Sequence, residues 1–81
     1  MSNIKIGDKL ELIKTDKVKA NYSTMSLRAE YAIVVEIQEA NERYKVNLVY
    51  DDSKVDIGYL WNFNDVRLFK TSNKVLNYNH Y

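Results

Sequence analysis

The sequence predicts an all-β domain, a small barrel of five short strands, on three observations. Between residues 28 and 69, four runs alternate apolar and polar side chains. Those runs are rich in Val, Ile and Tyr, which fit a pleated, half-buried surface better than a helix. The breaks between them are short, polar and of turn length, so neighbouring runs read as hairpins.

The first strand is expected over residues 9–14. Gly7-Asp8 before it is a turn signal, and Leu10 and Leu12 fall on one face. Residues 16–28 have no clean period and read as a long loop, carrying at most an irregular strand. Residues 29–39 form the strongest strand. Tyr31, Ile33, Val35 and Ile37 fall on one face, with Ala32, Val34, Glu36 and Gln38 on the other. After a polar break at residues 39–42, alternation resumes with Tyr44, Val46, Leu48 and Tyr50 against Arg43, Lys45, Asn47 and Val49. Residues 51–54 are the next turn. Val55, Ile57, Tyr59 and Trp61 then alternate with Asp56, Gly58 and Leu60, and a Gly inside a strand signals a bulge. Residues 62–65 fit a single 3₁₀ turn, and residues 66–70 a last strand. Residues 71–81 read as a tail or a short helix, outside the barrel of residues 1–70.

The chain has 81 residues, so it is one domain with a thin core. At this size folding buries only ~60% of the surface that the unfolded chain exposes. Cys is absent, which excludes disulfides and thiolate metal sites. Net charge is +1, from 12 basic and 11 acidic residues, far from the balance of a non-specific phosphate binder. No apolar run approaches the ~20 residues needed to span a bilayer, and no membrane partner is expected. The first residues lack the apolar segment of a signal peptide, so the expected location is the cytoplasm, that of a host if a phage encodes the protein. Lys, Asn, Tyr and Ile make up 31 of 81 residues. Their codons are A/T-rich, as in many small bacterial, phage and plasmid genes.

Strand, long loop, three meandering strands, 3₁₀ turn and strand is the order of an SH3-like barrel. The middle of the chain, roughly residues 28–70, also resembles a Tudor-type module of that superfamily. Tyr31-Ala-Ile-Val-Val-Glu-Ile stands for its aromatic-Ala-Val-Ile strand. Tyr44-Lys-Val-Asn-Leu-Val-Tyr-Asp-Asp-Ser stands for its Tyr-Lys-Val-x-Phe-x-Asp-Asp-Gly hairpin, with Ser53 in place of the turn Gly. Asp65-Val-Arg-Leu-Phe stands for the closing Asp-Leu-Arg-x-Leu. The resemblance implies an aromatic cage for methylated Lys or Arg, whose positions here are Tyr31, Tyr50, Asp52 and Tyr59. Tyr22 is the aromatic available in the first loop.

Among the seven Tyr, strand residues Tyr31, Tyr44 and Tyr59 read as core or half-core. Tyr22, Tyr50, Tyr78 and Tyr81 lie in loops, a strand end or the tail, where partner contact is as good a reading as packing. Trp61 reads as core, and Phe63, in its polar corner, as surface. Val34 and Leu60 fall on the expected outer face, where with Phe69 they would form an apolar patch. The partner-binding set is thus Tyr22, Tyr31, Tyr50, Asp52, Tyr59 and Phe63. Arg28, Arg43, Lys45 and Arg67 form an alternative, nucleic-acid-binding set if the fold gathers them. The Asp residues match no cation-loop spacing, so no metal site is expected. No base sits beside a nucleophile, the one His being residue 80, and there is no phosphate-cradling Gly loop. The expectation is a non-enzymatic module without cofactor that binds a protein, for example a phage or mobile-element inhibitor of a host protein. Nucleic-acid binding, methyl-residue reading and self-association are the alternatives.

Overall fold

The computed structural model describes residues 4–70. It shows a small all-β fold: one sheet of five antiparallel strands, β1 (Lys9–Leu12), β2 (Tyr31–Gln38), β3 (Arg43–Val49), β4 (Val55–Asn62) and β5 (Val66–Leu68). The strand order is β4-β3-β2-β1-β5. The middle three strands form a meander, and β5 returns to pair with β1. Trp61 of β4 and Val66 of β5, from opposite ends of the sheet, share one core cluster. The sheet is therefore curled on itself, consistent with an SH3-like barrel. The 3₁₀ turn expected near residue 63 lies at Phe63–Asp65, between β4 and β5. The tail over residues 71–81 lies outside the described residues.

The core follows from alternation on facing strands. Leu10 and Leu12 of β1, Tyr44, Val46 and Leu48 of β3, and Trp61 of β4 are all buried. β2 departs from the expected faces. Ala32 and Val34 are fully buried, and Val35 is exposed, so Val34 does not belong to an outer apolar patch. Ala32 stands opposite Leu48 and Val34 opposite Val46, whose apolar side chains draw them inward. Between Val34 and Glu36 the register shifts: two steps on β2 match one step on β3, from Val46 to Lys45. Val35 is the extra residue of a bulge, and beyond it the inward parity changes. Ile37, opposite buried Tyr44, then packs against the core. In the sequence both faces of this strand are apolar near its start, so periodicity alone leaves its sidedness open.

The second departure is at residues 16–28, expected as a loop. Two short helices occupy it, α1 (Asp16–Asn21) and α2 (Thr24–Arg28). Each has a side-chain N-cap. Thr15 Oγ1 accepts the Val18 N–H at 3.1 Å, and Ser23 Oγ accepts the Ser26 N–H at 3.2 Å. Helices of six and five residues are too short to be stable alone or to display a 3.6-residue period. Docking holds them, through buried Val18 on α1 and buried Ser26 on α2.

The bulge expected at Gly58 is present. Val46 pairs with Tyr59 but Leu48 with Asp56, so β4 carries one residue more than β3 across this step. Gly58 has φ +84°, and its N–H donates to Asn47 Oδ1 at 3.3 Å. A Cβ at Gly58 would meet nothing within 4 Å, so the demand for Gly is conformational rather than steric. Gly58→Ala is expected to lower stability by about 1–2 kcal/mol, the cost of a left-handed L-residue. Urea unfolding checks this; an unchanged midpoint would show that the bulge relaxes freely.

Among the described residues no helix is long and apolar enough to cross a membrane.

Candidate functional site

Three side-chain contacts tie the segment of the two helices to the sheet. At one end, the Tyr22 hydroxyl donates to Asp65 Oδ2 at 2.7 Å and accepts the Asn62 N–H at 3.0 Å. In the middle, Trp61 Nε1 donates to Ser26 Oγ at 3.0 Å, both residues being buried. At the far end, the Arg28 guanidinium lies 5.6 Å from the Tyr50 ring centroid. Burial pushes the Tyr22 hydroxyl up to about 12, aided by Asp65 and opposed by the Asn62 N–H.

Past Arg28 the surface opens into a depression of about 400 Å³. Tyr50 and Met25 line it, with carboxylates from Asp51, Asp52 and Asp56 and cations from Arg28 and Lys54. The β3–β4 turn builds its rim. Tyr50 donates its N–H to the Lys54 carbonyl at 2.9 Å, and Asp52 Oδ1 accepts the Lys54 N–H at 3.0 Å. Ser53, in place of the Tudor-type Gly, adopts φ +73°. The Tyr50 hydroxyl donates to Asp56 Oδ2 at 2.7 Å. Only 8% of Tyr50 is exposed, although it sits at the rim, because neighbouring side chains cover it. Burial first, then the bond to Asp56, pushes this hydroxyl up to about 12. Three carboxylates against two cations leave the mouth acidic, around an aromatic whose face already carries a cation.

The partner-binding set therefore divides. Tyr50 and Asp52 line the same depression. Tyr59 is half-buried against the core and is not among the residues that line the depression. Tyr31 is elsewhere: its ring stacks on Phe69 at 5.1 Å, and Lys9 Nζ lies 4.7 Å from its centroid. Phe63 is half-buried, its ring 4.7 Å from that of Tyr44. Tyr22 ties α1 to the 3₁₀ corner. Tyr22, Tyr31 and Phe63 thus do not join Tyr50 in one cage.

The basic set does not gather either. Arg28 lies on Tyr50, while Arg67 pairs with Glu11 at 2.9 Å on the β1–β5 ladder. Only Arg43 and Lys45 are neighbours, on the outer face of β3, with Lys45 opposite Glu36 of β2. Among the described residues no group of three His, Cys, Asp or Glu could hold a metal ion.

Sequence reasoning missed Met25, Asp56 and Ser26. A buried Trp needs an acceptor, which is a signal that a partner exists. Nothing local points to Ser26, which is 35 residues away in sequence.

By its fold this is a small all-β domain with an acidic, aromatic-walled depression beside a helical cover. Comparison with protein-family models, curated proteins and solved structures gives no match.

Proposed function

We propose that the chain is a non-enzymatic, Tudor-like protein-binding module that takes its partner at the Tyr50 depression. The context that fits its size and A/T-rich coding is a phage or mobile-element protein acting in a host cytoplasm, where it occupies and inhibits or modulates a host protein. The observation that carries this reading is the depression itself. It joins the aromatic Tyr50 to exposed Asp51 and Asp52 on a turn held by its own hydrogen bonds. Aromatic and charged groups on a preorganised rim suit a protein partner at low entropic cost.

Capture from a bacterial lysate tests it. The wild-type chain is expected to retain one protein stoichiometrically, and a D51K/D52K double variant to lose it. No stoichiometric capture, or capture undiminished in the variant, would overturn the proposal.

Reading of methylated Lys or Arg is the second reading, favoured by Tyr50 and Asp52 sharing the depression. It requires Arg28 to leave the ring it covers. Nucleic-acid binding would rest on Arg43 and Lys45, since Arg28 and Arg67 are engaged elsewhere.

A further inference from the structure

We propose that two copies of this chain pair through their β4 edges, antiparallel and about a two-fold axis, with Ile57 of each opposite Leu60 of the other. β4 ends the sheet, so one side of its backbone has no strand beside it among the described residues. Edges of this kind are normally guarded by charged side chains or Pro. Between residues 55 and 60 the one charged residue is Asp56, and its carboxylate is engaged by the Tyr50 hydroxyl. The side chains on offer are apolar: Val55 is 53% exposed, Ile57 75% and Leu60 43%.

The bulge selects the register. Opposite residues in an antiparallel pair share a face, so in a regular strand a two-fold axis matches residues an even number apart. Ile57 and Leu60 are three apart, yet both are exposed, because the extra residue at Gly58 changes the alternation. Two bulged strands can therefore set Ile57 against Leu60 and Leu60 against Ile57. That offset joins all four side chains into one apolar cluster. The ladder stops before Asn62. Phe63 donates its N–H to the Glu42 carbonyl on the β3 side, so the Asn62 N–H faces the free edge. There the Tyr22 hydroxyl accepts it at 3.0 Å and closes that end.

Charge favours a second copy over an unrelated strand. Exposed Asp51 and Asp52 lie in the turn before β4. Arg43 and Lys45 stand beside its far end, opposite Asn62 and Leu60. Antiparallel pairing brings Asp51 and Asp52 before each β4 toward Arg43 and Lys45 beside the end of the other, twice over. Parallel pairing would stack acid on acid.

The inference does not rest on the partner-binding reading and is tested without any partner. Sedimentation velocity over a concentration series is expected to show a monomer–dimer equilibrium. I57K and L60K replace exposed side chains, so circular dichroism should show a wild-type fold. Each is expected to weaken dimerisation by on the order of tenfold or more, by placing a charge in the apolar cluster. Because the native chain has no Cys, single-cysteine variants give a clean register test. A short bifunctional thiol reagent should couple a mixture of I57C and L60C faster than either variant alone. A monomer at every concentration, a dimer indifferent to both Lys variants, or equal coupling rates in mixed and unmixed samples would each overturn the proposal.

Discussion

Replacing Trp61 by Ala is expected to leave the domain without a cooperative unfolding transition. Trp61 is 1% exposed and, among the described residues, is the largest fully buried side chain. Truncating such a residue to Ala costs about 3–5 kcal/mol. Domains are stable by about 5–15 kcal/mol in all, and small ones bury the least surface. The loss is therefore comparable to the whole stability. The position also carries a polar contact, which gentler variants isolate. Ser26→Ala leaves the indole N–H buried without its acceptor, at a cost of about 1–3 kcal/mol. Trp61→Phe leaves the Ser26 hydroxyl without its donor. The double variant S26A/W61F should be less destabilised than the sum of the two singles, because both remove the same bond. Urea unfolding followed by circular dichroism reads all four. An S26A midpoint equal to wild type would show that the bond does not hold α2 on the barrel.

A loss of stability in alkali is the second large expectation. Tyr22 and Tyr50 are both pushed up to about 12 from an ordinary value of 10. Below pH 10 both hydroxyls keep their protons whether the chain is folded or not. Between about 10 and about 12 the unfolded chain ionises them while the folded chain holds them protonated. Their contribution is thus complete below 10 and is lost as the pH rises through this window. The geometry supplies the reason. Each phenol donates to a carboxylate, Asp65 or Asp56, at 2.7 Å, and ionising it would set two anions together in a covered site. Urea midpoints measured across this window should fall steeply for the wild type. Y22F and Y50F should each flatten the fall, though each begins from a lower midpoint at neutral pH for want of its hydrogen bond. Slopes equal to wild type in both variants would show that the two hydroxyls are not linked to folding.

The site was legible in part. Tyr50 and Asp52 could be named from the hairpin motif, and the fold does set them side by side. Their companions Met25 and Arg28 come from a segment that reads as a loop. Its helices are one or two turns long, and their stability comes from contacts across the barrel. Tyr22 and Phe63 lie in polar stretches that suggest surface, yet one is bonded into the 3₁₀ corner and the other packs its ring against that of Tyr44. A Tyr or Phe among polar neighbours in sequence carries no local record of what folds over it.

Local chemistry was enough for the five strands, the β2–β3 hairpin, the Gly58 bulge and the 3₁₀ corner. Alternation, turn residues and one Gly act over a few residues, and each is written where it acts. Long-range packing settled the sidedness of β2, the helices over residues 16–28 and the depression around Tyr50. Val34 turns inward because Val46 lies opposite, α2 stands because Trp61 needs Ser26, and Tyr50 is covered by Arg28 because Glu30 and Tyr31 pair with Val49 and so bring the end of α2 beside it. Each of these depends on a residue supplied by another element, and alternation within one run does not record which face that partner will cover.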